Sequence, residues 1–79
     1  MDKQQQYDKI FRKVFSLDKD VILEDLDIFS VANWTSIEHI EFVSLLEDEF
    51  KITISDEDIF QLTSYKSGIR LLKRMGIIK

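Results

Sequence analysis

Seventy-nine residues, 44% of them hydrophobic and 33% charged, with a net charge of −4, predict one small globular domain over residues 1–79 with a modest core. The absence of cysteine and the single histidine exclude disulfides, thiolate catalysis and cysteine-based or multi-histidine metal sites. No apolar run approaches the roughly 20 residues of a membrane span, and the opening MDKQQQYDKI lacks an apolar signal core, so no membrane role and a cytoplasmic location are expected.

The charge is unevenly spread. Residues 1–16 carry net +2, 17–35 net −4, 36–58 net −7 and 59–79 net +5. A central segment this acidic repels nucleic acid and suits a basic protein partner. The basic C-terminal segment is read as neutralising the acidic one within the fold.

In chain order, residues 3–16 predict a helix. Tyr7, Ile10, Phe11, Val14 and Phe15 recur at helical spacing and give one apolar face. Residues 17–35 have apolar residues but no sustained period, and predict a long structured loop with at most one helical turn. Loops of this length in small domains are commonly functional.

A second helix is predicted from Ser36 to about Phe50. Thr35 and Glu38 have the spacing of a capping box, in which the threonine hydroxyl accepts from the Glu38 amide. Trp34 before the cap and His39 at the fourth helical position suit a stacked staple. Ile40, Val43, Leu46 and Phe50, widened by Phe42 and Leu45, make a core stripe. Ile37, Glu41, Ser44, Glu47 and Asp48 lie toward another, acidic face.

The KITI run at 51–54 reads as briefly extended. Ser55 and Asp58 give a second capping-box spacing, opening a short helix at about 56–61. A last helix runs from about Ser64 to Met75, capped by Thr63 or Ser64. Ile69, Leu71, Leu72 and Met75 form its apolar face, and Gly76 suits a left-handed cap. Gly68 inside that helix costs about 1 kcal/mol against alanine, which close approach of another helix would explain. The sum is an all-α, small four-helix bundle: three main helices, one short one and a long first loop.

Calcium binding is disfavoured. DKDVILEDLDIF starts with Asp18 and Asp20, but Ile22 and Leu23 stand where a ligand and the loop glycine belong. Ser36 and His39 are near each other on one helix, yet no third orienting group and no water-excluding pocket is legible, so no catalytic residue is assigned. Ser36 has a different property. In the first turn of a helix its hydroxyl points outward beside unpaired amides, where a phosphate is well tolerated. On local pattern alone the plainer reading, a polar residue following a cap, is preferred, since hydroxyl residues are ordinary at helix starts.

At this point the residues match a known pattern. The chain resembles an acyl carrier protein over nearly its whole length. The Asp-Ser-Leu motif of that family falls on Thr35, Ser36 and Ile37. Its acidic recognition helix falls on IEHIEFVSLLEDEFKITISDEDI, and the Leu-Thr-Ser that opens its last helix on Leu62, Thr63 and Ser64. Trp34 and His39 are similar to a subgroup of stand-alone carriers with Trp-Asp-Ser-Leu-x-His.

The resemblance implies 4′-phosphopantetheine carried on Ser36, placed there from coenzyme A by a phosphopantetheinyl transferase. The arm would hold acyl or aminoacyl groups as thioesters, and the protein itself, a monomer, would not be an enzyme. Its partners would be acyl-loading and acyl-transferring enzymes with basic patches, docking on Ile37, Glu38, Glu41, Glu47 and Asp48, with Asp56 and Glu57 secondary. Two departures matter: threonine replaces the aspartate at 35, and Ser44 stands where many carriers have a larger apolar residue. The alternative is a carrier-like adaptor that is not phosphopantetheinylated.

Overall fold

A computed structural model describes residues 2–79. Four helices follow one another: α1 (Lys3–Val14), α2 (Ser36–Phe50), α3 (Asp56–Gln61) and α4 (Tyr65–Arg74). The described residues contain no β-strand, and the long first loop spans the chain between α1 and α2. The all-α architecture is therefore the one the periodicity predicts.

Helix α1 starts on a reciprocal cap that the sequence reading did not anticipate. The Asp2 carboxylate accepts from the Gln5 amide at 2.8 Å, and the Gln5 side chain accepts from the Asp2 amide at 3.1 Å. The helix ends at Val14 rather than residue 16. Ser16 turns left-handed at φ 56°, and Leu17 donates back to the Arg12 carbonyl at 2.9 Å. That closure satisfies carbonyls at the helix end but normally advertises itself by glycine, so a serine there gives no signal. Helix α2 ends similarly on Lys51, at φ 57°.

The core is aromatic. Tyr7, Phe11 and Phe15 of the α1 segment, Trp34 of the loop, Phe42 of α2 and Tyr65 of α4 are all buried. Phe11 stands at its centre, edge-on to Phe42 at 5.5 Å, Tyr65 at 5.4 Å and Trp34 at 5.8 Å between ring centres. Edge-to-face pairs at these separations are each favourable beyond simple burial. Leu46, Leu62 and Leu72 are almost fully enclosed and complete the packing with aliphatic side chains.

The loop is held at both faces. Leu23, Val31 and Trp34 insert into the core. Backbone bonds join Ile28 N–H to the Thr63 carbonyl at 2.8 Å and Tyr65 N–H to the Leu26 carbonyl at 3.0 Å. The Asp27 carboxylate accepts from the amides of Phe29 and Ser30, a local turn that competes with helix formation. No helical turn is assigned in this stretch.

Helix α4 is slightly shorter than predicted, ending at Arg74 rather than Met75. Ser64 caps it, in a reciprocal pair with Ser67. Leu71 and Leu72 are buried and Ile69 is half-buried, while Met75 lies past the helix end and is exposed. Gly76 adopts φ 79°, and Ile77 N–H returns to the Leu72 carbonyl at 2.9 Å, as a left-handed cap requires. Gly68 is explained by contact with α1: a Cβ there would lie 2.1 Å from Tyr7 Oη. Around residues 51–54, no strand forms; Ile54 is buried in an irregular connection.

Candidate functional site

Ser36 is the first residue of α2 and is exposed. The first helical bond on this side runs from His39 N–H to the Thr35 carbonyl at 2.9 Å, leaving the amides of Ser36, Ile37 and Glu38 outside the helical ladder. Thr35 has the extended conformation of a cap, φ −96° and ψ 175°, yet its side chain accepts from no amide. Its hydroxyl instead donates to the Glu38 carboxylate. The predicted capping box therefore reduces to a bond between side chains. The physical consequence lies beside Ser36: amide donors and the positive end of the helix dipole stay open to an anion.

Trp34 and His39 come together, but not as a stack. Their ring centres are 6.2 Å apart, and the indole N–H donates to His39 Nδ1 at 3.0 Å. His39 Nε2 lies 2.8 Å from the Ile59 carbonyl oxygen. An acceptor at Nδ1 and a donor at Nε2 define the neutral tautomer protonated on Nε2. Both ring nitrogens are thus occupied by structural partners, which leaves the histidine no free lone pair to activate Ser36.

Beside Ser36 opens a cleft of about 410 Å³, with Ile28, Trp34, Ile40, Ile59, Phe60 and Thr63 among its walls. Ile40, expected in the core stripe, is 65% exposed and Phe60 is 81% exposed. On a helix of 3.6 residues per turn, Ile40 falls on the flank that Ser36 occupies, turned away from Phe42 and Leu46. Phe60 was missed as a site neighbour. An aromatic residue in a short or irregular segment carries no periodicity that separates core from surface.

The acidic face is only partly a free surface. Ile37, Glu41, Ser44 and Asp48 are exposed along one outward stripe, and Asp56 and Glu57 are exposed at the start of α3. Glu38 is half-buried and tied to Thr35. Glu47, also half-buried, is not a plain surface acid: its carboxylate accepts from the Ile54 amide at 2.8 Å and pins the connection to α3. Asp58 likewise turns inward on the fold. It accepts from the Ser55 hydroxyl and pairs with Arg74 at 2.6 Å, while Ser55 caps the Asp58 amide. The second predicted box is thus only half formed. Lys66 approaches Asp25 at 3.9 Å. These two pairs are where the basic C-terminal segment meets the acidic regions.

Comparison with known proteins bears on the chain as a whole. The family model described as the phosphopantetheine attachment site matches residues 8–72. The chain is also 32% identical over 73 residues to a protein named acyl carrier protein from Lactobacillus johnsonii, covering 84% of this chain and 91% of that relative.

The chain belongs to the acyl carrier protein family. Carriers of this family hold a covalently attached 4′-phosphopantetheine group, and they are carriers rather than catalysts. The exposed hydroxyl and open amides at the start of α2 fit such a group, since its phosphodiester is an anion with acceptor oxygens. Among the described residues, no three His, Cys, Asp or Glu side chains gather as metal ligands. Among the same residues, no helix is long and apolar enough to cross a membrane.

Proposed function

We propose that Ser36 is the attachment point of the arm and that this carrier presents acyl groups, as thioesters on the arm, to partner enzymes through the exposed face of α2. The observation that carries the reading is an exposed hydroxyl at the first position of α2 beside three amides free of helical bonds. In the loading step the Ser36 oxygen attacks the pantetheine-side phosphorus of coenzyme A. The P–O bond to the nucleotide half breaks, adenosine 3′,5′-bisphosphate leaves, and the hydroxyl proton passes to a base of the transferase. The chain's own contribution is to expose the oxygen and to face the resulting phosphodiester with amide donors. The arm's thiol then takes an acyl group from a loading enzyme.

Ile37, Glu41 and Asp48, with Asp56 and Glu57, supply the docking surface in this reading, and Glu38 and Glu47 border it. Exposed carboxylates of this kind steer a basic partner to the surface more than they tighten the complex. That suits a carrier which must leave one enzyme for the next.

One observation favours the second reading, an unmodified adaptor: residue 35 is threonine, and its hydroxyl is engaged by Glu38, so position 35 contributes no carboxylate beside the serine. Intact-mass measurement decides between them. Incubation with coenzyme A and a broad-specificity phosphopantetheinyl transferase is expected to add one phosphopantetheine, and Ser36→Ala to abolish the gain. No gain with several transferases would leave the adaptor. Faster loading of Thr35→Asp would show that the threonine slows recognition.

A further inference from the structure

Helix α3 is six residues long and buries none of them. Its attachments to the rest of the fold are few. Ile59 packs partly against the core, Leu62 follows the helix as a buried anchor, and Arg74 pairs with Asp58 at the surface. That pair is open to solvent on its Arg74 side and shielded on its Asp58 side, so it is a one-sided tie, and a segment with few buried contacts opens at low free energy. The remaining tie is His39. Its Nε2–H reaches the Ile59 carbonyl, while its Nδ1 is fixed by the Trp34 indole. Trp34 is in turn held firmly: it is 7% exposed and lies 4.3 Å from Phe15 between ring centres, with the planes tilted by 31°.

We propose that His39 is a positioning residue: a neutral imidazole that links the Trp34 anchor to α3 and so sets the opening of the cleft beside Ser36. Ile59 and Phe60 of α3 form one wall of that cleft, and Trp34 and Ile40 face it from the loop and α2. Any displacement of α3 therefore changes the cleft's width directly. Letting go is inexpensive on the α3 side, because the Ile59 carbonyl also accepts from Leu62 N–H at 3.3 Å. The histidine is the part that decides, since both of its bonds must hold at once. The inference rests on the reading that Ser36 bears the arm, which makes the cleft the apolar space nearest an acyl tail.

The test begins with the unmodified protein, so that it does not depend on loading. Amide hydrogen exchange is followed in wild type, His39→Leu and His39→Gln. Leucine removes both bonds. Glutamine keeps an acceptor for Trp34 and a donor for Ile59. Loss of the tie is expected to speed exchange of the α3 amides from Ile59 to Leu62 about tenfold in the Leu variant, with core amides such as Leu46 and Leu72 changed far less. The Gln variant is expected to stay near wild type. Equal acceleration of α3 and core amides, unchanged α3 exchange, or a Gln variant that behaves like Leu would each overturn the proposal.

The same proteins are then loaded with an octanoyl-bearing arm and treated with hydroxylamine. A wider cleft shelters the tail, so the Leu variant is expected to release its acyl group several-fold more slowly than wild type and the Gln variant. Equal release rates would overturn the link between His39 and the cleft. Failure of all three proteins to load would count against Ser36 as the attachment point, while the exchange data would still decide whether His39 holds α3.

Discussion

Replacing Gly68 by alanine sets a gain in helix propensity against a collision. The gain is about 1 kcal/mol, the usual difference between the two residues inside a helix. The collision is severe: the new Cβ would stand 2.1 Å from Tyr7 Oη, 2.7 Å from Cζ and 2.8 Å from Cε1, against an ordinary contact of about 3.5–4.0 Å. Tyr7 is fully buried among Phe11, Phe42 and Tyr65, so its ring cannot swing aside into solvent. Overpacking of this kind costs about 1–3 kcal/mol. Displacing the phenol also endangers its bond to the Tyr65 carbonyl, 2.8 Å long, worth about 1 kcal/mol. The net expectation is a destabilisation of about 1–3 kcal/mol, read as a fall in Tm of about 5–20 °C for a domain of this size. Thermal and urea unfolding followed by circular dichroism measure it. Combining Gly68→Ala with Tyr7→Phe removes the closest contact but not the two ring contacts, so the double variant should be less destabilised than the two singles added together. A more stable alanine variant, or strictly additive effects, would refute the close-approach argument.

Two further predictions concern charge. Burial, then Tyr65 and Asp8, hold the Tyr7 phenol well above the ordinary 10.0, and burial followed by the Asp8 hydrogen bond pushes Tyr65 up to about 12. The unfolded chain releases these protons near pH 10 while the folded chain keeps them, so this stability is complete below about pH 10 and is lost as the pH rises through about 12. The urea midpoint should drop between about pH 10 and pH 12, and drop less in a Tyr7→Phe/Tyr65→Phe variant; equal drops would show that the phenols are not responsible. Separately, Glu41→Lys should weaken transfer to a basic partner without altering Tm, whereas Glu47→Lys should cost about 1–3 kcal/mol by leaving the buried Ile54 amide without its acceptor. Equal melting temperatures for these two variants would contradict the distinction.

Much of this carrier is legible in its sequence because helices write their buried faces at a fixed period. The bounds of α2 and α3, the α1 stripe of Tyr7, Phe11 and Val14, and the left-handed Gly76 all follow from local pattern. So does the position of Ser36, because a helix start is defined by the few residues around it. The resemblance to the carrier family includes that stretch and extends over nearly the whole chain. What local pattern could not show is where a side chain's partner comes from. Ser16 and Lys51 close helices without glycine because the returning amide bonds stabilise a conformation their side chains disfavour. Ile40 and Val43 are alike in chemistry and both sit on α2, yet one is exposed and the other buried, since only the placement of α1 and α3 decides which flank is covered. Glu47 reads as one more surface acid until the chain folds back and brings it the Ile54 amide. His39 and Ile59 are 20 residues apart, and no pattern along the chain announces that an imidazole will tie them. The sequence by itself determined the helices and the serine at the head of α2. The tertiary structure decided what borders that serine, because a cleft is a relation between segments and its walls exist only once α3 and the loop have packed beside α2.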